Sequence, residues 1–283
     1  MATGLDLEDT MNSMLGYCSV NQKFNPGLLA ESTKPIIQDL LIKFLQEKGF
    51  NEEAAKKILL DVWEDGELGD ETLKALADLK LLFKILNENG VRIAVSTSDS
   101  RAGTEEALKS LDIYQYVDHL ICGDDPGIEP KPHPFSAMKI CEQLDVSPAD
   151  TVMVGDTKAD VGMGKAANIG WNVGVLSGVG NCVDLLPEAD HVIHSVKDLL
   201  PLILPGETWK RYYKYSTTER ILMEPHTAEE EGDQMSNTMV TLKNDVNLVI
   251  FDLYGTLLCV QKRYMDWLCH ICERYQKVFV LNS

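Results

Sequence analysis

The feature that most constrains this chain is the run Val246-Asn247-Leu248-Val249-Ile250-Phe251-Asp252-Leu253-Tyr254-Gly255-Thr256-Leu257. Its near-continuous Val, Leu, Ile and Phe suit a parallel strand covered on both faces, not a strand with one wet side. An aspartate straight after such a run stands at the C-terminal edge of a sheet, where open α/β folds bind their ligands. Gly255 permits close backbone approach there, and Thr256 adds a hydroxyl donor. Taken alone, the segment also reads as an ordinary strand end with a solvated aspartate.

The rest of the chain supplies the sheet that such a strand needs. From 77 to 204 predicted strands and helices alternate: helix 79–89, strand 91–98, helix 104–111, strand 116–122, helix 135–144, strand 151–154, helix 161–168, and strands 171–176 and 191–194. This alternation predicts a doubly wound parallel α/β sheet. Residues 1–75 read as all-helical: 36, 37, 40, 41, 44 and 45 recur at helical spacing behind Pro35, and a second helix runs from 51 to 63. Residues 205–245 have no clear period and read as a linker. Residues 262–277 read as a helix.

Composition narrows the function classes. The 283 residues are enough for a core plus a smaller domain. A net charge of −18 argues against nucleic acid and anionic membranes as partners, since both need positive patches. No apolar run approaches the ~20 residues of a membrane helix. The polar, acidic start reads as no signal peptide, and the scattered Cys18, Cys122, Cys141, Cys182, Cys259, Cys269 and Cys272 read as reduced thiols, so the expectation is a cytoplasmic protein. Cys269 and Cys272 have no second pair at zinc-binding spacing.

Three further signals follow the same rule as Asp252, falling at or just after strand ends: Thr97 with Ser98, Lys131 in a proline-rich loop, and the Asp156/Asp160 pair. Each has a bland alternative; Asp156 and Asp160, for example, would favour a helix dipole without any catalytic role. Together they resemble the haloacid dehalogenase-like hydrolases, a superfamily made up mostly of phosphatases. Asp252-Leu253-Tyr254-Gly255-Thr256-Leu257 is similar to its first motif, Val95-Ser96-Thr97-Ser98 to the second, Lys131-Pro132 to the third, and Gly155-Asp156-Thr157-Lys158-Ala159-Asp160 to the fourth.

The resemblance implies a Rossmann-like core with a helical cap, and hydrolysis of a small phosphorylated metabolite. Asp252 would be the nucleophile, forming an aspartyl-phosphate that splits one difficult step into two. Mg²⁺ would be held by Asp252, Asp156 and the backbone carbonyl of Tyr254, with Asp160 in the outer shell. Thr97, Ser98, Lys131, Gly255 and Thr256 would hold the phosphoryl oxygens, whose charge must be offset in the transition state.

Two departures qualify the resemblance. The first motif comes last in this chain, so the order reads as circularly permuted: a cap from 1–75 plus 258–283, a core from 76–204 plus 246–257, and 205–245 joining the old ends. The alternative is a truncated tandem copy beginning at 246; permutation is favoured because no other first motif exists in the chain. The second departure is Tyr254, where most phosphatases of the family carry an aspartate acid–base. A tyrosine, with a pKa near ~10, is a poor base at neutral pH. The same tyrosine occurs in the metal-free 2-haloacid dehalogenase branch, but that branch resembles Ser-Asn, not Gly-Asp, in the fourth motif. The leading expectation is therefore a Mg²⁺-dependent phosphatase, with a 2-haloacid dehalogenase or a catalytically weak scaffold as alternatives.

Overall fold

A computed structural model describes residues 12–18, 23–65, 73–204 and 245–259. Eight strands are present among them: β1 (Tyr17–Cys18), β2 (Lys23–Phe24), β3 (Arg92–Ser96), β4 (His119–Ile121), β5 (Thr151–Gly155), β6 (Trp171–Val175), β7 (His191–Ile193) and β8 (Leu248–Phe251). The helices are α1 (Leu28–Glu31), α2 (Lys34–Glu47), α3 (Glu52–Asp65), α4 (Leu79–Glu88), α5 (Arg101–Ser110), α6 (Phe135–Leu144), α7 (Lys158–Ala166), α8 (Cys182–Leu185) and α9 (Leu200–Ile203).

Six strands form one parallel sheet in the order β4-β3-β8-β5-β6-β7. The late strand β8 is central, with Phe251 level with Val95 of β3 and with Val154 of β5. All four of its residues are fully buried. Alternation across the pleat divides them between the two faces. Leu248 and Ile250 join Ala137, Ile140 and Met163 of α6 and α7 on one face. Val249 and Phe251 join Leu82, Phe83, Leu108 and Leu200 on the other. There Phe251 stacks on Phe83 of α4, with ring centroids 5.4 Å apart. Helices on both faces are why the strand carries no polar alternation.

The N-terminal lobe is not all-helical as expected. Tyr17 pairs with Phe24 across the antiparallel β1–β2 hairpin, with their rings 5.0 Å apart. Phe24 is buried with Leu41, Leu45 and Leu59 in the cluster that also covers the α4 face of the sheet. A two-residue strand has too short a period to show in sequence, but the aromatic pair gives it a reason to close.

Three boundaries also move. Helix α5 begins at Arg101 and α7 at Lys158, three residues before the expected starts. Thr157 caps α7 through a reciprocal pair with Asp160, so Asp160 belongs to the first turn. The strand expected over 116–122 shortens to β4, because pairing with β3 begins only at Ala94 opposite His119.

Where the lobe meets the core, the chain passes twice. Leu76 N–H donates to Leu257 O and Cys259 N–H to Lys74 O, so 74–76 and 257–259 run antiparallel side by side. The expected linker at 205–245, all but its last residue, and the expected helix at 262–277 lie outside the described residues. The cysteines of the described residues, Cys18, Cys122, Cys141, Cys182 and Cys259, are free thiols. Among the described residues no helix is long and apolar enough to cross a membrane.

Candidate active site

The parallel register brings the candidate residues to one edge. Phe251 is level with Val95 and Val154, so Asp252, Ser96 and Gly155 stand at the next level, and Thr97 and Asp156 one step beyond. Asp252 keeps its place in the ladder by donating its N–H to Val154 O at 2.9 Å.

Lys131 reaches into this edge from the loop before α6. Its Nζ donates to Asp252 Oδ1 at 2.8 Å, to Asp160 Oδ1 at 2.7 Å and to Ser96 O at 2.7 Å. All three ammonium donors thus have acceptors, which is what a lysine only 6% exposed requires. Asp160 also works locally: its Oδ2 accepts from Thr157 N at 2.9 Å and Thr157 Oγ1 at 2.6 Å. One carboxylate therefore anchors the start of α7 and positions Lys131.

Asp156 is 1% exposed, and both of its oxygens are engaged. Oδ2 accepts from Val179 N at 2.9 Å, and Oδ1 from Thr256 Oγ1 at 3.2 Å. Gly255, at φ +100, lies so close that a Cβ there would stand 2.2 Å from an Asp156 oxygen. Thr256 is fully buried with its hydroxyl given to Asp156. Thr97 is buried, and its Oγ1 accepts from Asp99 N at 3.2 Å; Ser98 is half-buried beside it. Tyr254 is 8% exposed and belongs to the apolar cluster shared by the sheet and the lobe.

Carboxylate oxygens of Asp156, Asp160 and Asp252 all lie within 4.8 Å of one another. Burial pushes the Asp252 carboxyl up to about 7, with Lys131 pulling it down and Asp160 adding to the rise. Burial likewise raises Asp156 well above the carboxylate range, reinforced by Asp252 and Asp160. Burial works against the charge on Lys131, but Asp160 and Asp252 overcome it and raise its pKa. Three buried carboxylates against one ammonium leave negative charge uncompensated, and a proton or a small cation relieves it. The donors are hard oxygens in close array, which fits Mg²⁺.

Sequence reasoning missed two contributors. The loop after β6, Leu176-Ser177-Gly178-Val179-Gly180, closes over Asp156: a Cβ at Gly178 would stand 1.9 Å from Oδ2. Ser177 Oγ donates to Gly255 O at 2.9 Å, tying this loop to the turn after β8. Two glycines at i, i+2 after a predicted strand were the available signal. The second contributor is Glu31 at the end of α1. Its carboxyl is raised first by burial and then by Asp160 and Asp184, so the lobe brings an acidic group within electrostatic reach of the site.

The chain is also similar to known proteins. The family described as haloacid dehalogenase-like hydrolase matches residues 21–168, slightly more than half of the chain. A pyrophosphatase PpaX of Bacillus mycoides is 32% identical over 139 residues, 47% of this chain and 62% of that protein. A phosphoglycolate phosphatase of Escherichia coli is 29% identical over 140 residues, 49% of this chain and 54% of that protein. The chain spans about half the length of the curated relatives it matches. Among solved structures, a predicted phosphoglycolate phosphatase from Haemophilus somnus aligns over 70% of this chain and 90% of that one, at 18% identity and a TM-score of 0.48.

Proposed function

The chain belongs to the haloacid dehalogenase-like hydrolase family, and on that premise we propose that it is a Mg²⁺-dependent phosphatase of small phosphomonoesters, working through a phosphorylated Asp252. The observation that carries this reading is the buried array of Asp156, Asp160 and Asp252 with Lys131 between two of them. The two relatives reported above are both named as phosphate-releasing enzymes.

Asp252 and Asp156 would hold the Mg²⁺ with the backbone carbonyl of Tyr254, and Asp160 would act behind them. Bound there, the ion offsets the charge of the phosphoryl oxygens and of the carboxylates. An Asp252 oxygen attacks phosphorus, and the bond from phosphorus to the ester oxygen breaks. Lys131, Thr97 and Ser98 would offset the charge on the phosphoryl oxygens. The leaving oxygen takes a proton, which a tyrosine at 254 supplies poorly. Water then attacks the same phosphorus, giving up a proton that balances the one taken by the leaving oxygen; the bond to Asp252 breaks and the carboxylate is restored. The net reaction is phosphoester plus water giving alcohol plus inorganic phosphate.

The permuted order belongs to the same proposal. It is supported by β8 lying between β3 and β5, and by the two lobe–core passages running side by side at Ala75 and Leu258. The matched family segment, 21–168, leaves out Asp252, as a first motif carried at the other end of the chain would.

The test is phosphate release from a panel of phosphomonoesters, with Mg²⁺ or with chelator, for wild type and Asp252→Asn. Loss of the nucleophile should cost on the order of 10⁶-fold. An Asp252→Asn protein as active as wild type rejects the mechanism. Halide release from a 2-haloacid without metal would favour the dehalogenase reading, and no turnover of either class would favour a scaffold.

A further inference from the structure

We propose that the Arg101–Asp125 pair is a positioning device that holds the Thr97–Ser98 turn in place to grip a phosphoryl group; this rests on the phosphatase reading above. Arg101 is the first residue of α5, immediately after the turn. Its Nε donates to Asp125 Oδ1 at 2.7 Å and its Nη2 to Asp125 Oδ2 at 2.6 Å, a two-pronged match of guanidinium to carboxylate. The same Nη2 donates to Leu120 O at 2.9 Å, reaching the backbone of β4. Asp125 Oδ2 in turn accepts from Cys122 N at 2.9 Å.

Two further bonds, outside the fork, hold the backbone on either side of it. Arg101 N–H donates to Asp124 Oδ1 at 2.8 Å, and Gly123 N–H to Asp99 O at 2.8 Å. Gly123 is pressed on the turn itself: a Cβ there would stand 2.1 Å from Ser98 O. The loop that follows β4 therefore cannot shift without moving Ser98, and it runs on to Lys131. The pair thus ties together the two loops that carry Thr97, Ser98 and Lys131. Asp125 is only 17% exposed, so this fork is less open to solvent than the i, i+4 pairs on the outer helices.

An ion pair that merely started α5 would affect folding and leave the folded protein's grip on phosphate alone. A positioning role predicts a split. Arg101→Lys keeps the charge but loses the fork, and Asp125→Asn keeps the shape but loses the charge. Each should raise KM for p-nitrophenyl phosphate, and the inhibition constant of inorganic phosphate, about tenfold, while kcat stays within about threefold. The double variant should be no worse than the single ones, because each already breaks the fork. Asp125→Glu keeps charge and fork, and should recover most of the wild-type KM. Measurements are made below each variant's melting midpoint, with Mg²⁺ saturating.

Wild-type KM and phosphate inhibition in Arg101→Lys and Asp125→Asn would overturn the positioning role while leaving the phosphatase reading intact. If Arg101→Lys does not fold, Asp125→Asn and Asp125→Glu decide the question alone. Wild type that neither hydrolyses phosphoesters nor is affected by phosphate would overturn the phosphatase reading, and this inference with it.

Discussion

The two edges of the central sheet use aspartate in opposite ways. At the N-terminal edge, Asp118 Oδ2 accepts the Ile93 N–H at 2.8 Å and Asp190 Oδ2 accepts the Asn172 N–H at 2.7 Å. Each takes a backbone donor near the start of a strand. At the C-terminal edge, Asp156, Asp160 and Asp252 are buried and crowd one another with a single lysine among them. The first edge uses charge to finish the fold. The second holds charge that the fold does not neutralise, and that imbalance is where function is read.

The largest expected change on the functional edge comes from Tyr254→Asp. General acid–base help is worth ~10²–10⁴-fold, so supplying a carboxyl at 254 should raise phosphate release by at least about 10²-fold. The tyrosine is packed among apolar side chains, so the same substitution should lower the melting midpoint. Loss of stability without any gain in turnover would make 254 a packing position and remove the acid–base argument.

Lys131→Met sharpens the contrast next. It removes the only ammonium from between two buried carboxylates, and breaking a buried pair typically costs about 3–5 kcal/mol. Urea unfolding at pH 7 without metal measures it. A cost under about 1 kcal/mol would mean that the cluster holds a proton in place of the lysine's charge.

How much of this was legible in the sequence depended on whether a feature has its own period. The strand ending at Asp252 was readable because burial on both faces forces an unbroken apolar run, and its central place followed from that. Asp252, Lys131 and Asp156 were readable because each follows a strand or sits in a loop feeding the same edge. The β1–β2 hairpin was not, because two residues per strand carry no alternation. Nor was the loop over Asp156, whose glycines are needed for an approach that exists only once β6 lies next to β5. The division of labour in Asp160, capping α7 with one oxygen and holding Lys131 with the other, is likewise a three-dimensional fact.

A smaller effect concerns pH and metal. The folded Asp252 carboxyl sits at about 7, above its ordinary value of 3.8, and Asp156 is raised in the same direction. The folded state therefore holds more protons than the unfolded one between those values, and metal-free stability falls as pH rises through that window. Mg²⁺ competes with those protons, so its stabilisation should be small at pH 5 and larger at pH 8. At a hundredfold excess over Kd it amounts to about 2.7 kcal/mol. Thermal melts with and without Mg²⁺ at both pH values measure this. Equal shifts at the two pH values would contradict the cluster's role as a cation site.

The smallest effect is expected at the other edge and serves as the control for all the rest. Lys165 Nζ stands 3.1 Å from Glu188 and also donates to Pro187 O at 3.1 Å, beside an open cavity of about 350 Å³ shared with Asn172 and Asp190. The pair is within ion-pair range, as are those at the functional edge, but its side chains are 58% and 31% exposed. Water already solvates both charges, so their mutual attraction is weak and screened by salt. A double-mutant cycle with Lys165→Ala and Glu188→Ala should give a coupling of about 0.2–1 kcal/mol, fading at high salt, with phosphate release unchanged. A coupling as large as that of Lys131 would mean that burial is not what separates the two edges.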